Sequence, residues 1–130
     1  MRTLVALLSF IAPAASTAQA SNTTLYCSYV TYSGKPYMAL EIPVRGLDEF
    51  ADFAVVNHIN KDNVYQESIK QVPHGNGERY AFEVGQDNKT LNLRIFDKVI
   101  DEGSKYERWS SMLTSETNRK LVLVGDCYIQ

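Results

Sequence analysis

The chain has 130 residues, 45% of them hydrophobic and 22% charged. That is room for one domain with an ordinary globular balance, and it excludes both a disordered chain and an array of domains. A formal net charge of −2 leaves no basic field for nucleic acid or an anionic membrane surface.

The first twenty residues read as a targeting segment. Met1–Arg2 is a short positive start, Thr3–Ala15 is apolar, and Ala18-Gln19-Ala20 is a small-x-small cleavage site. The apolar run falls short of the roughly 20 residues that span a bilayer. Cleavage would leave Ser21–Gln130 as a single β domain of formal charge −3, with no membrane anchor. Cys27 and Cys127 are the only cysteines. In an oxidising secreted or periplasmic compartment they are expected to pair. Closing a loop of that length is worth roughly 4.7 kcal/mol in the chain-entropy model. The bond would require the two Cα atoms about 4.4–6.8 Å apart.

Taken in order, the mature chain alternates short strand signals with turns. Leu25–Tyr32 (LYCSYVTY) puts Leu25, Cys27 and Tyr29 on one face. Ser33-Gly34-Lys35-Pro36 is a hairpin-length turn, so Tyr37–Val44 should return antiparallel, with Met38, Leu40, Ile42 and Val44 on its apolar face. Pro43 has no N–H for a ladder and places that strand end at an edge or a bulge. Arg45–Asn57 is ambiguous between a short helix capped by Asp48 and a strand; the preferred reading is a turn at Gly46–Asp48 and a strand from about Ala51. Asn60–Asn63 is a turn and Val64–Val72 a strand. Pro73–Glu78 is a loop, Arg79–Val84 a strand, and Gly85–Lys89 another turn.

Thr90–Val99 carries Leu91, Leu93 and Ile95 on one face, and Ile100–Ser104 turns the chain again. Lys105–Leu113 is a strand and Thr114–Arg119 is turn-like. Lys120–Ile129 (KLVLVGDCYI) closes the chain; it is apolar on both faces over Leu121–Val124, which predicts a strand covered on both sides there. Seven or eight short strands with turn residues between them predict an all-β antiparallel meander, closed as a small barrel or packed as a sandwich. A Cys27–Cys127 bridge would join the first strand to the last.

No constellation for catalysis is visible. A catalytic serine needs a base and an orienting acid. His58 lies in a predicted strand and His74 in a glycine-rich loop, and no serine sits in a G-x-S-x-G elbow. Asp97, Asp101 and Glu102 match no calcium-loop spacing and read as a solvated turn. No catalytic, cofactor or metal residues are assigned. The N-x-T sequons at Asn22 and Asn88 matter only in a eukaryotic secretory pathway.

The tyrosines offer a sharper candidate. Tyr26, Tyr29, Tyr32, Tyr37 and Tyr128 should gather at the first hairpin and the closing strand. They are either core and cross-strand packing or an exposed aromatic face for a protein or glycan. Tyr32, Ser33, Gly34 and Tyr37 are the candidate partner-binding residues. Ser33-Gly34-Lys35-Pro36-Tyr37 also fits S-G-x-x-Y and resembles a loop motif of the small periplasmic inhibitors of c-type lysozyme, which are compact disulfide-bearing barrels. The match covers five residues, lies earlier in the chain than the family's copy, and lacks the Lys-Gly loop that follows it there. The expected function is a non-enzymatic binding module for a protein or cell-envelope component. The alternatives are a small-ligand carrier with a barrel cavity and the lysozyme inhibition that the resemblance implies.

Overall fold

Alternation of buried and exposed side chains decides this architecture. Leu25, Cys27 and Tyr29 are buried while Ser28 and Val30 are exposed, and the same two-residue rhythm recurs along the chain. The computed structural model describes residues 23–86, 90–101, 105–115 and 121–130. The proposed leader and its cleavage site, both sequons' asparagines, and Glu102 lie outside these residues.

The described strands are β1 (Thr24–Val30), β2 (Pro36–Gly46), β3 (Glu49–Phe50), β4 (Phe53–His58), β5 (Asn63–Val72), β6 (Glu78–Val84), β7 (Leu91–Asp101), β8 (Arg108–Ser115) and β9 (Val122–Ile129). Neighbours pair antiparallel in the order β1-β9-β8-β7-β6-β5-β4-β2, and β1 also pairs with β2. The sheet therefore closes on itself as an eight-stranded up-and-down barrel, with β3 an extra strand on the end of β2. Closure removes the sheet edges that would otherwise template pairing with other chains.

The closing contact is the β1–β9 seam. Cys27 and Cys127 stand directly opposite one another and are disulfide-bonded, with Cα atoms 4.1 Å apart. This is just under the expected range, and the ladder explains why. Thr24 and Gln130 exchange both backbone hydrogen bonds, so by alternation the Cys27–Cys127 pair is a non-hydrogen-bonded one, the closest kind of antiparallel pair.

The barrel axis is filled. Tyr29, Phe82, Leu25, Leu40, Ile42, Leu93, Ile95 and Leu113 are fully buried along it. The Tyr29 hydroxyl is satisfied inside: it shares a 2.7 Å hydrogen bond with Ser111 Oγ, which in turn donates to the Arg94 carbonyl at 2.9 Å. Burial pushes the Tyr29 phenol far above its ordinary range.

Several details refine or correct the sequence reading, each for a local reason. Pro43 opposes Thr24 of β1 on one side, and on the other it stands at an irregular strand end, beside the register shift between Val44 and Gly46. It lies where the neighbour of β2 changes from β4, which ends opposite Glu41, to β3, which begins opposite Val44. A missing N–H is tolerated at that junction. Asp48 agrees with the preferred reading: at φ 57° it forms the tight turn from β2 into β3, and no helix begins there. The turn expected at Asn60–Asn63 is a single 3-10 turn at Ile59–Lys61 closed by Asp62. β7 runs through Asp101, and β8 begins only at Arg108. The largest correction concerns β9. Leu123 is buried, but Val122 and Val124 are 46% and 55% exposed, so nothing within the described barrel covers the outer face. A closed single-sheet barrel has only one inside, and two-sided apolarity cannot be buried without a second layer.

Candidate functional site

The outer wall of the seam is built from four adjacent strands. Register places side chains in rows across β8, β9, β1 and β2. In one row Tyr128 opposes Tyr26, which opposes Glu41. In the next, Ser110 opposes Asp126, then Ser28, then Ala39. In the third, Met112 opposes Val124, then Val30.

The first row is an aromatic stack. The Tyr128 ring lies between Tyr26, at 5.7 Å and 13°, and Tyr106, at 5.2 Å and 18°. The Arg108 guanidinium sits 4.4 Å from the Tyr128 ring centre, and the Lys105 ammonium 5.4 Å from that of Tyr106. Partial burial raises the Tyr26 phenol above its usual range, and Glu41, which accepts its proton in a hydrogen bond, raises it further. Asp126 knits the rows together: it receives Ser28 Oγ at 3.4 Å and pairs with Arg108 at 3.4 Å.

The third row is apolar and open. Val30, Val122 and Val124 line a shallow hollow of about 90 Å³ with Thr31 and Tyr32. Tyr32 is fully exposed at the tip of the β1–β2 hairpin. The tip is shaped by its own backbone: Gly34 N–H donates to the Thr31 carbonyl at 2.9 Å, and Thr31 N–H to the Lys35 carbonyl at 3.0 Å. Gly34 takes φ +81°, which glycine adopts at no steric cost.

The structure thus splits the sequence-derived candidates. Tyr32, Ser33 and Gly34 are exposed together at the tip. Tyr37 is half-buried and packs edge-on against His58, 6.0 Å between ring centres, with His58 stacked on Tyr65 at 5.8 Å. His58 is thereby held in an aromatic setting; burial lowers its basicity, and Lys61 lowers it further. Of the other tyrosines, Tyr29 is core, while Tyr26 and Tyr128 lie on the outer wall. Val122, Val124, Tyr106 and Arg108 were not singled out from sequence. The signal for the valines is the two-sided apolar run in Leu121–Val124, which by itself points to coverage on both faces.

At the far end of the barrel, an open cleft of about 310 Å³ is lined by Asp48, Gln71, His74, Glu78, Arg79, Tyr80 and Asp97. Its charges are largely matched internally. Tyr80 donates to Asp48 at 2.6 Å, Arg94 to Glu78 at 2.9 Å, and Arg79 lies 3.7 Å from Asp97 and 4.6 Å from the centre of the Trp109 ring. Glu78 also accepts the Gly75 N–H at 2.8 Å. That backbone bond first, and Arg94 second, hold the Glu78 carboxyl below its usual range. A depressed carboxyl stabilises the fold above its unfolded-state pKa and loses that contribution as pH falls through the folded one. Glu78→Gln, which keeps an acceptor for Gly75, should therefore lose less stability than the parent protein between about pH 6 and pH 3. Parallel melting curves over that interval are expected to converge on acidification; two curves offset by a constant amount would assign no acid-linked role to Glu78.

His58 and His74 belong to opposite ends of the barrel, so they do not share a site. Among the described residues, no three of His, Cys, Asp and Glu gather as a metal-ligating group. No family model, curated protein or solved structure matches the chain.

Proposed function

We propose that this chain is a secreted or periplasmic binding module that works without catalysis and docks a protein on the outer wall of its seam. One observation carries the reading: Val30, Tyr32, Val122 and Val124 form a contiguous exposed apolar patch on a wall where alternation ordinarily places polar side chains. Tyrosine and arginine, which supply the strongest contacts at protein interfaces, stand two rows away on the same wall, across the Asp126–Ser28 row. The buried disulfide fits an oxidising compartment.

The carrier alternative needs interior volume. Ligand cavities run to about 300–1,000 Å³, whereas the hollow beside the inward-facing Met38, Leu40, Val56, Tyr65 and Leu91 holds about 110 Å³. The filled axis favours docking outside the barrel over carriage inside it. The lysozyme-inhibitor alternative rests on five residues and is assayed directly, by adding the purified protein to c-type lysozyme.

The test is site-specific photo-crosslinking in the exporting cell. A crosslinker at position 124 should give a discrete protein adduct, and one at the exposed Lys70, on the opposite wall, should not. Val124→Glu should abolish an adduct formed from position 32 while leaving the melting temperature within about 2 °C, as expected of an exposed substitution. Equal adducts from both walls would sink the proposal.

A further inference from the structure

The docking face has an internal symmetry in its chemistry. Across the first row it is basic at the β8 end, where Arg108 lies on the Tyr128 ring, and acidic at the β2 end, where Glu41 opposes Tyr26. The two tyrosines lie between these ends, one on each side of the seam. Two rows on, the seam carries a second like pair, Val124 and Val30. A two-fold axis parallel to β1 and β9, midway between them and in the plane of contact, relates the two sides of the seam. Rotation about it exchanges the two sides of the seam within every row. Tyr128 then meets Tyr26 of a second molecule, Val124 meets Val30, and Arg108 meets Glu41, each contact occurring twice. Asp126 meets Ser28, so no acid is set against an acid. A surface that is complementary to itself under a two-fold rotation is what an isologous dimer requires.

We propose that the occupant of this face is a second copy of the chain, joined seam to seam about that axis. The proposal rests on the docking reading of the wall and names its partner. The barrel is convex, so the two central strands supply the apolar and aromatic centre. The long side chains of Arg108 and Glu41 reach around the curvature to close the rim. Arg108 keeps its contact with Asp126, because a guanidinium has five N–H donors and can serve two carboxylates. Burial of the valine and tyrosine rows would provide the affinity, and the Arg–Glu pairs would set orientation and register.

Sedimentation equilibrium of the purified protein, from about 1 μM to about 1 mM, should show a monomer–dimer equilibrium. Val124→Glu should shift it to monomer. Glu41→Arg would place arginine against arginine at both rims, and Arg108→Glu would place glutamate against glutamate. Each should weaken self-association by at least about tenfold. Mixing the two charge variants should restore a dimer, since every facing pair is again opposite in sign; a merely destabilised fold could not be rescued this way. A parent protein that stays monomeric throughout, or charge variants that fail to rescue each other, overturns the dimer. If that monomeric protein still gives the Val124-dependent adduct with another protein, the docking face stands and only the identity of its occupant falls.

Discussion

Replacing both Cys27 and Cys127 by alanine should lower the stability of the barrel by about 2–5 kcal/mol, the range for a native bridge in a small domain. For a domain of this size that is roughly 10–30 °C in melting temperature. Two causes add. The bridge spans 100 residues, so its loss releases nearly the whole chain as one open loop in the unfolded state. Both sulfurs are also fully buried in the core, with Cys127 Sγ 4.0 Å from the Tyr29 hydroxyl, so their removal leaves a void beside a buried polar group. The comparison that isolates the first cause is a melt with and without reductant. Reductant should lower the parent protein toward the variant and leave the variant unmoved. If parent and variant melt together, the seam is held by its ladder alone and the bridge is dispensable.

A methyl group at Gly125 should be almost as costly. Gly125 faces Tyr29 across the seam and Ser111 on the other side. A Cβ there would overlap the Ser28 carbonyl oxygen and stand 2.9 Å from both the Ser28 carbonyl carbon and the Tyr29 ring. The obstacle is backbone on the bridged strand, which cannot rotate away. Gly125→Ala should therefore cost at least about 3 kcal/mol, the upper range for overpacking, and Gly125→Val should prevent folding. Gly34→Ala makes the control: among the described residues nothing lies within 4 Å of its added Cβ, and the penalty is only that of a positive φ, about 1–2 kcal/mol. Urea unfolding ranks the three. A Gly125→Ala protein within about 1 kcal/mol of the parent would mean that the seam can open enough to admit a side chain, and the close approach would lose its structural role.

These two positions show where the sequence was legible. The cysteines could be paired because they are two in number and the fold had no other use for them. Gly125 carried no such sign: in KLVLVGDCYI it reads as a break in a strong strand, and only the approach of Ser28 from a strand nearly a hundred residues away explains it. The inward faces of β1, β2, β6, β7 and β8 were readable because alternation is a local property, set by the pleat. The Asp48 turn was readable too, although the extra strand β3 was not, since two residues are too few to carry a period.

The docking face divides the same way. Tyr32, Ser33 and Gly34 could be placed at a hairpin tip from a four-residue turn signal. Tyr37 could not be separated from them, because its partners His58 and Tyr65 come from β4 and β5. The Tyr26–Tyr128–Tyr106 stack joins residues from both ends of the chain, and no local pattern contains it. By itself the sequence determined an all-β meander of short strands and a cysteine pair joining first strand to last. The tertiary structure alone decided that the sheet closes as a barrel and that one face of β9 is left open. The reason is geometric. Periodicity says which residues share a face, but whether that face finds a covering layer depends on how many strands close the circle.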